Sequence, residues 1–169
     1  MPEASFERLL DVLLDSWDRN NRILVNLLNA LPEGGLDARA MDSSPSVGQM
    51  LSHIHYVRLV LVFEDAPEFA EPVPDEEWGC ERDRLHLEQR LNHSAQAVRE
   101  AVRGRVRAGQ GMDVHYDHPI HLLQHLLWHE GYHHGQIKLA LKMAGLPVAD
   151  DVAGPITWGV YMRRQTGSS

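Results

Sequence analysis

Residues 117–145, DHPIHLLQHLLWHEGYHHGQIKLALKMAG, carry histidines at positions 121, 125, 129 and 133. A spacing of four advances an α-helix by about 400°, so each imidazole stands one turn above the last and drifts about 40° around the axis. The rise from His121 to His133 is roughly 18 Å while Zn–N bonds are about 2.0–2.1 Å, so only a neighbouring pair can share an ion. Leu122, Leu126, Ile137, Ala140, Leu141 and Ala144 mark the apolar stripe of this helix. His121 lies well outside the stripe, His125 near its edge, His129 closer, and His133 within it. A buried imidazole needs partners for both ring nitrogens, and a metal on one with an acceptor on the other meets that need. His129 and His133 are therefore the expected chelating pair. Taken singly, His121, His125 and His134 read as hydrogen-bonded core residues.

Around this helix the three-four spacing of apolar residues recurs three times. Phe6, Leu9, Leu10, Leu13, Trp17, Leu24, Leu27 and Leu28 predict a first helix from Glu3 to Ala30, with polar residues 18–22 as a place to bend and Leu31-Pro32-Glu33-Gly34-Gly35 as the stop. Ser46-Val47-Gly48-Gln49 has the form of a capping box and opens a second helix with Val47, Met50, Leu51, Ile54, Val57 and Leu61 on one side. His53 flanks one edge of that side and His55 the other, so either one reaches inward, and periodicity does not choose between them. Pro67, Pro72 and Pro74 make a loop. A third helix is expected from Glu76 to about Val106, with Leu85, Glu88, Leu91, Ala95, Val98 and Val102 a turn apart and His86 and His93 solvated. Gly104, Gly109 and Gly111 loosen the chain before Asp117 caps the fourth helix, Pro119 fits its first turn, and Gly145 and Pro147 end it. In the tail, Gly154-Pro155 predicts a turn, and Ile156 to Arg163 a short helix whose Trp158 and Tyr161 cover a bundle end or a partner.

The whole of residues 1–169 thus reads as one all-α domain, an up-and-down-type four-helix bundle with a short C-terminal extension. Its length suffices to bury a core without disulfides, and the single cysteine, Cys80, permits none within the chain. Cys80 is expected to be a partly buried structural thiol. A formal charge of −8 with interleaved arginines argues against a nucleic-acid partner. No apolar run reaches the roughly 18–20 residues of a membrane span, and the N-terminus has Glu3 and Glu7 in place of a basic leader, so a cytoplasmic location without membrane contact is expected.

His129-Glu130-Gly131-Tyr132-His133 spells HExxH, the zinc-hydrolase pattern of two ligands and a glutamate base. The extended metzincin form fails, since Gln136 and Leu139 occupy the glycine and third-histidine places. Downstream of Glu130 there is no glutamate to serve as third ligand, leaving only Asp150 or Asp151. On an ideal wheel Glu130 projects near the centre of the apolar stripe, where an unpaired carboxylate would be costly. Gln136 lies on the His129 side and is placed to orient a ligand.

The segments SVGQMLSHIHYVR (46–58) and HLLWHEGYHHGQIKLALKMAGLP (125–147) together resemble the DinB/YfiT-like family of metal-binding four-helix bundles. The resemblance rests on one second-helix histidine and on H-x-x-x-H-[RH]-G-[QN] before an L-x-x-x-G close, and it extends over the chain in helix order and length. It implies a three-histidine site at His53, His129 and His133 and so decides between His53 and His55. It implies one divalent ion, zinc or nickel ahead of iron or manganese, and a homodimer. It further implies S-transfer from a low-molecular-weight thiol of the bacillithiol, mycothiol or glutathione type to a small electrophile, in detoxification or stress. Glu130 and His134 are the candidate proton carriers, although relatives more often have arginine at the position of His134. The alternatives are a non-catalytic metal-binding stress-response protein and, further off, the zinc hydrolase.

Overall fold

In the computed structural model, which describes residues 2–162, four long helices pack together. They are α1 (Pro2–Asn29), α2 (Val47–Asp65), α3 (Arg84–Ala108) and α4 (Pro119–Met143). A short α5 (Asp150–Ile156) and a 3-10 turn (Trp158–Tyr161) follow, and no strand occurs among the described residues. The fold is the all-α four-helix bundle with a C-terminal extension that the periodicity predicts.

The core is two apolar clusters, and their membership fixes the helix directions. One end gathers Leu24, Leu27 and Leu28 of α1, Val47, Leu51 and Ile54 of α2, Leu87 and Leu91 of α3, and Ile137 and Leu141 of α4. The other gathers Leu10, Leu14 and Trp17, then Val62, then Val98 and Val102, then Leu122 and Leu126. Hence α1 and α4 run one way while α2 and α3 both run the other, so the helix directions do not simply alternate. Residues 66–83 must cross back along the whole bundle to start α3 beside the start of α2, and this crossover shapes the site described below.

Local chemistry sets most of the helix ends. Ser46 Oγ accepts from Gln49 N and Gln49 Oε1 accepts from Ser46 N, closing the capping box at 3.2 and 3.0 Å. The fourth helix is capped by His118 instead of Asp117: its Nδ1 accepts from Ile120 N at 3.1 Å, with Pro119 in the first turn as expected. Gly145, at φ 73°, ends α4 as Leu146 N donates to Leu141 O, a left-handed position that glycine takes without strain. Gly104 lies inside α3 and does not loosen it. The Phe69 ring of the crossover lies against it so closely that a Cβ there would come within 2.1 Å of the ring.

Three further expectations are corrected. The third helix begins at Arg84, capped by Asp83, and it buries Leu87 while leaving Leu85 63% exposed, because residues 76–83 belong to the crossover. The polar stretch 18–22 does not interrupt α1; Asn20 and Asn21 turn to the interior and meet partners from other helices, while Arg22 stays exposed. Gly154 and Pro155 lie within α5 and make no turn. The extension packs along α1: Arg19 Nη1 donates to Val160 O at 2.6 Å, Asn26 to Ile156 O at 3.0 Å, and Tyr161 Oη to Ser16 O at 3.0 Å. Arg163, the expected end of the tail helix, lies outside the described residues.

Candidate metal centre

Between the two apolar clusters lies a buried ionic layer. Arg58 of α2 donates through Nε and Nη2 to the two oxygens of Glu130 at 2.6 and 2.7 Å. Its Nη1 donates to Asn21 Oδ1 and Leu91 O at 2.9 and 2.8 Å, and the guanidinium stands 4.8 Å over the Trp17 ring. Asn20 adds a bond to Glu130 Oε2 at 2.5 Å. A charge this deep is tolerable because nearly every donor and lone pair is used.

Glu130 fixes the rotation of α4, and its neighbours in sequence then face α2. Nε2 of His129 lies 3.2 Å from Nε2 of His53 and 3.1 Å from Nε2 of His133. The three ligand atoms all fall within 4.8 Å of one another. Two nitrogens bound at 2.0–2.1 Å with a tetrahedral angle stand about 3.3 Å apart, close to the 3.2 and 3.1 Å of the two near pairs. Neutral imidazoles cannot all donate to one another through the same converging nitrogen, so a cation among the lone pairs is the chemical complement of this arrangement. The donor set therefore fits a divalent ion held by His53, His129 and His133.

Two rings have neighbours at the outer nitrogen. His133 Nδ1 lies 2.8 Å from Gln136 Oε1, which accepts its proton and leaves Nε2 free as a ligand. His53 Nδ1 lies 2.9 Å from Glu77 Oε1 of the crossover, a close contact without well-directed hydrogen-bond geometry. Trp78 stacks flat on His53, ring centroids 4.0 Å apart and planes 2° from parallel.

Electrostatics keep the site in its ligating form. Burial lowers the His129 pKa to about 4, aided by repulsion from His133 and His53. Burial also lowers His53, outweighing the opposite pull of Glu77, and lowers His133 against its bond to Gln136. All three rings are thus neutral near pH 7, as metal binding requires.

Residues 1–154 match the DinB family over most of the chain. The chain belongs to the DinB family. No curated protein and no solved structure matches it.

In this DinB-family bundle the structure brings His53, His129 and His133 together and leaves the other sequence candidates apart. His55 is buried on the other flank of α2, its ring 6.5 Å from that of His93. Glu130 has both oxygens occupied, so it is not free to act as the base that HExxH chemistry needs. His134 stands about 140° around the helix from His129 and is not among the converging ligands. Cys80 is exposed, a correction that follows from the surface course of the crossover. Gln136 Oε1 meets the outer nitrogen of His133, not His129. Sequence reasoning missed Arg58, whose signal was an arginine inside an apolar run, and missed Glu77 and Trp78, which carry no helical spacing.

Among the described residues no helix is long and apolar enough to cross a membrane.

Proposed function

We propose that the protein is a divalent-metal-dependent transferase that joins a low-molecular-weight thiol to small electrophiles during detoxification or stress. The carrying observation is the three-nitrogen donor set: among the described residues no fourth His, Cys, Asp or Glu joins it. Three protein ligands suit a centre with a position left for substrate, whereas structural zinc is ordinarily closed by four. A bound divalent ion, zinc or nickel ahead of iron or manganese, supplies the Lewis acidity that holds a thiol as thiolate below its usual pKa of about 8.5.

The protein's part is to hold three neutral imidazoles in register and to keep them so. Arg58 and Glu130 lock α4 against α2, Gln136 sets the His133 tautomer, and burial suppresses protonation. The thiol sulfur forms the new C–S bond, the electrophile's leaving group departs with the bonding pair, and the thiol proton passes to water. The thiol is of the bacillithiol, mycothiol or glutathione type, and a homodimer in the cytoplasm is part of the same reading. Zinc- or nickel-loaded protein should accelerate conjugation across a panel of such thiols and activated aryl or alkyl halides, with the rate lost in His129→Ala. Equal rates for both proteins would reject the transferase.

One observation favours a second reading, a non-catalytic metal-binding protein. Glu130 is locked to Arg58 and His134 faces away, so neither expected proton carrier meets the triad. Large thermal stabilisation by metal with no exchangeable water at the ion would support it.

A further inference from the structure

His53 differs from the other two candidate ligands in how it is held. His129 and His133 share one helix turn, which Glu130 between them ties to Arg58, while Gln136 sits one turn on from His133. His53 comes alone from α2. Its neighbours at the outer nitrogen and the ring face are Glu77 and Trp78, both on the crossover.

That part of the crossover is seated on the start of α2. Gln49 Nε2 donates to Trp78 O at 3.3 Å, and Gln49 is the same residue that closes the capping box. Gly48 lies so close to the segment that a Cβ there would come within 2.7 Å of Glu81 O. The first turn of α2, one turn before His53, is thus the platform for the residues that touch His53.

Charge gives the contact direction. Three neutral imidazoles and a divalent ion leave the site with two positive charges. Of the two carboxylates beside it, Glu130 is paired with Arg58, while Glu77 faces His53. A negative charge 2.9 Å from Nδ1 favours the proton there and the lone pair on Nε2, the nitrogen turned toward His129. Glu77 is half exposed, so its side chain is not held in place by packing on every side.

We propose that Glu77 and Trp78 are positioning residues for the metal: Glu77 selects the ligating tautomer of His53 and supplies a counter-charge, and Trp78 fixes the plane of the ring. The crossover then forms an outer wall of the centre, and the metal affinity of His53 depends on that wall being seated. This inference rests on the three-histidine reading of the site.

The test uses zinc alone as probe on the full chain, comparing wild type with H53A, E77A, E77Q and W78A. Loss of an outer partner of a ligating histidine typically weakens metal binding about 10–100-fold. E77A and W78A are expected to weaken zinc at least about 10-fold. E77Q, which keeps an acceptor oxygen but not the charge, should recover part of the E77A loss. Nitrogen-15 NMR of the imidazoles adds a readout that a merely structural role would not move. In metal-free wild type His53 should carry its proton on Nδ1, and in E77A it should shift toward the Nε2–H form. Zinc affinity and tautomer unchanged in E77A, with binding lost in H53A, would overturn this inference and leave the triad standing. Undiminished binding in H53A would overturn both.

Discussion

Arg58 and Glu130 form a two-pronged ion pair at 2.6 and 2.7 Å, with both side chains fully buried, and Glu130 lies in the same turn of α4 as His129 and His133. The pair joins α2 to α4, the same two helices that supply His53 and His129, so the ionic layer and the metal centre share one frame.

Removing one partner leaves the other charge buried and unpaired, which typically costs about 3–5 kcal/mol. Arg58→Met and Glu130→Leu should each lower stability in urea unfolding by that order. Arg58→Met with Glu130→Leu should recover much of it, since a buried pair replaced by apolar groups is often close to neutral. Losses that simply add in the double variant would show that the two side chains do not act as a pair.

The ligand assignment makes its own division among the histidines. His129→Ala and His133→Ala should abolish tight zinc binding, while His134→Gln, His125→Gln and His55→Gln should retain it, as measured by competition with a chromophoric chelator. Retention in His129→Ala would place the ion elsewhere.

Acid should act on the metal-free fold through the same rings. The folded pKa of His129, about 4, lies below the ordinary 6.5, and those of His53 and His133 are lowered too. The unfolded chain therefore binds more protons between those values, so stability is full above about pH 6.5 and falls as pH drops toward 4. Zinc release should follow the same direction, because protons and metal compete for the same lone pairs. A midpoint for thermal unfolding that stays flat from pH 7 to pH 4 would contradict the neutral, buried state of these rings.

Gly104 tests the seating of the crossover. Alanine in a helix interior is ordinarily favoured over glycine by about 1 kcal/mol. Here its Cβ would meet the Phe69 ring, so Gly104→Ala should destabilise the protein, and in a Phe69→Ala background the same change should stabilise it. Calorimetry on the four proteins gives the sign in each background.

How far the sequence carried this picture depends on the range of each interaction. Four helices, the Ser46 capping box and the His129/His133 pair lie in short-range patterns, and the structure contains all three. The choice of His53 over His55 was not in the periodicity, since both flank the apolar side, and it came from the family resemblance. The ionic layer was legible only in part. Glu130 on an apolar stripe called for a partner, but Arg58 lies 72 positions away and Asn20 110. The polar residues 18–22 looked like a weak point of α1 because nothing local reveals that Asn20 and Asn21 meet the buried Glu130 and Arg58. The direction of α3 was equally hidden, since it depends on where residues 66–83 run, and so were Glu77, Trp78 and the exposure of Cys80. His134 was misleading in the opposite sense: its neighbour His133 faces inward, and about 100° of helix rotation separates the two.

The most direct test is metal content per chain, by mass spectrometry, for wild type and His53→Ala purified in parallel without added metal and again after reconstitution. About one divalent ion per wild-type chain, lost or greatly reduced in the variant, is the expected result, given three converging nitrogens on α2 and α4. Little metal in both proteins after reconstitution, or equal metal in both, would contradict the three-histidine centre.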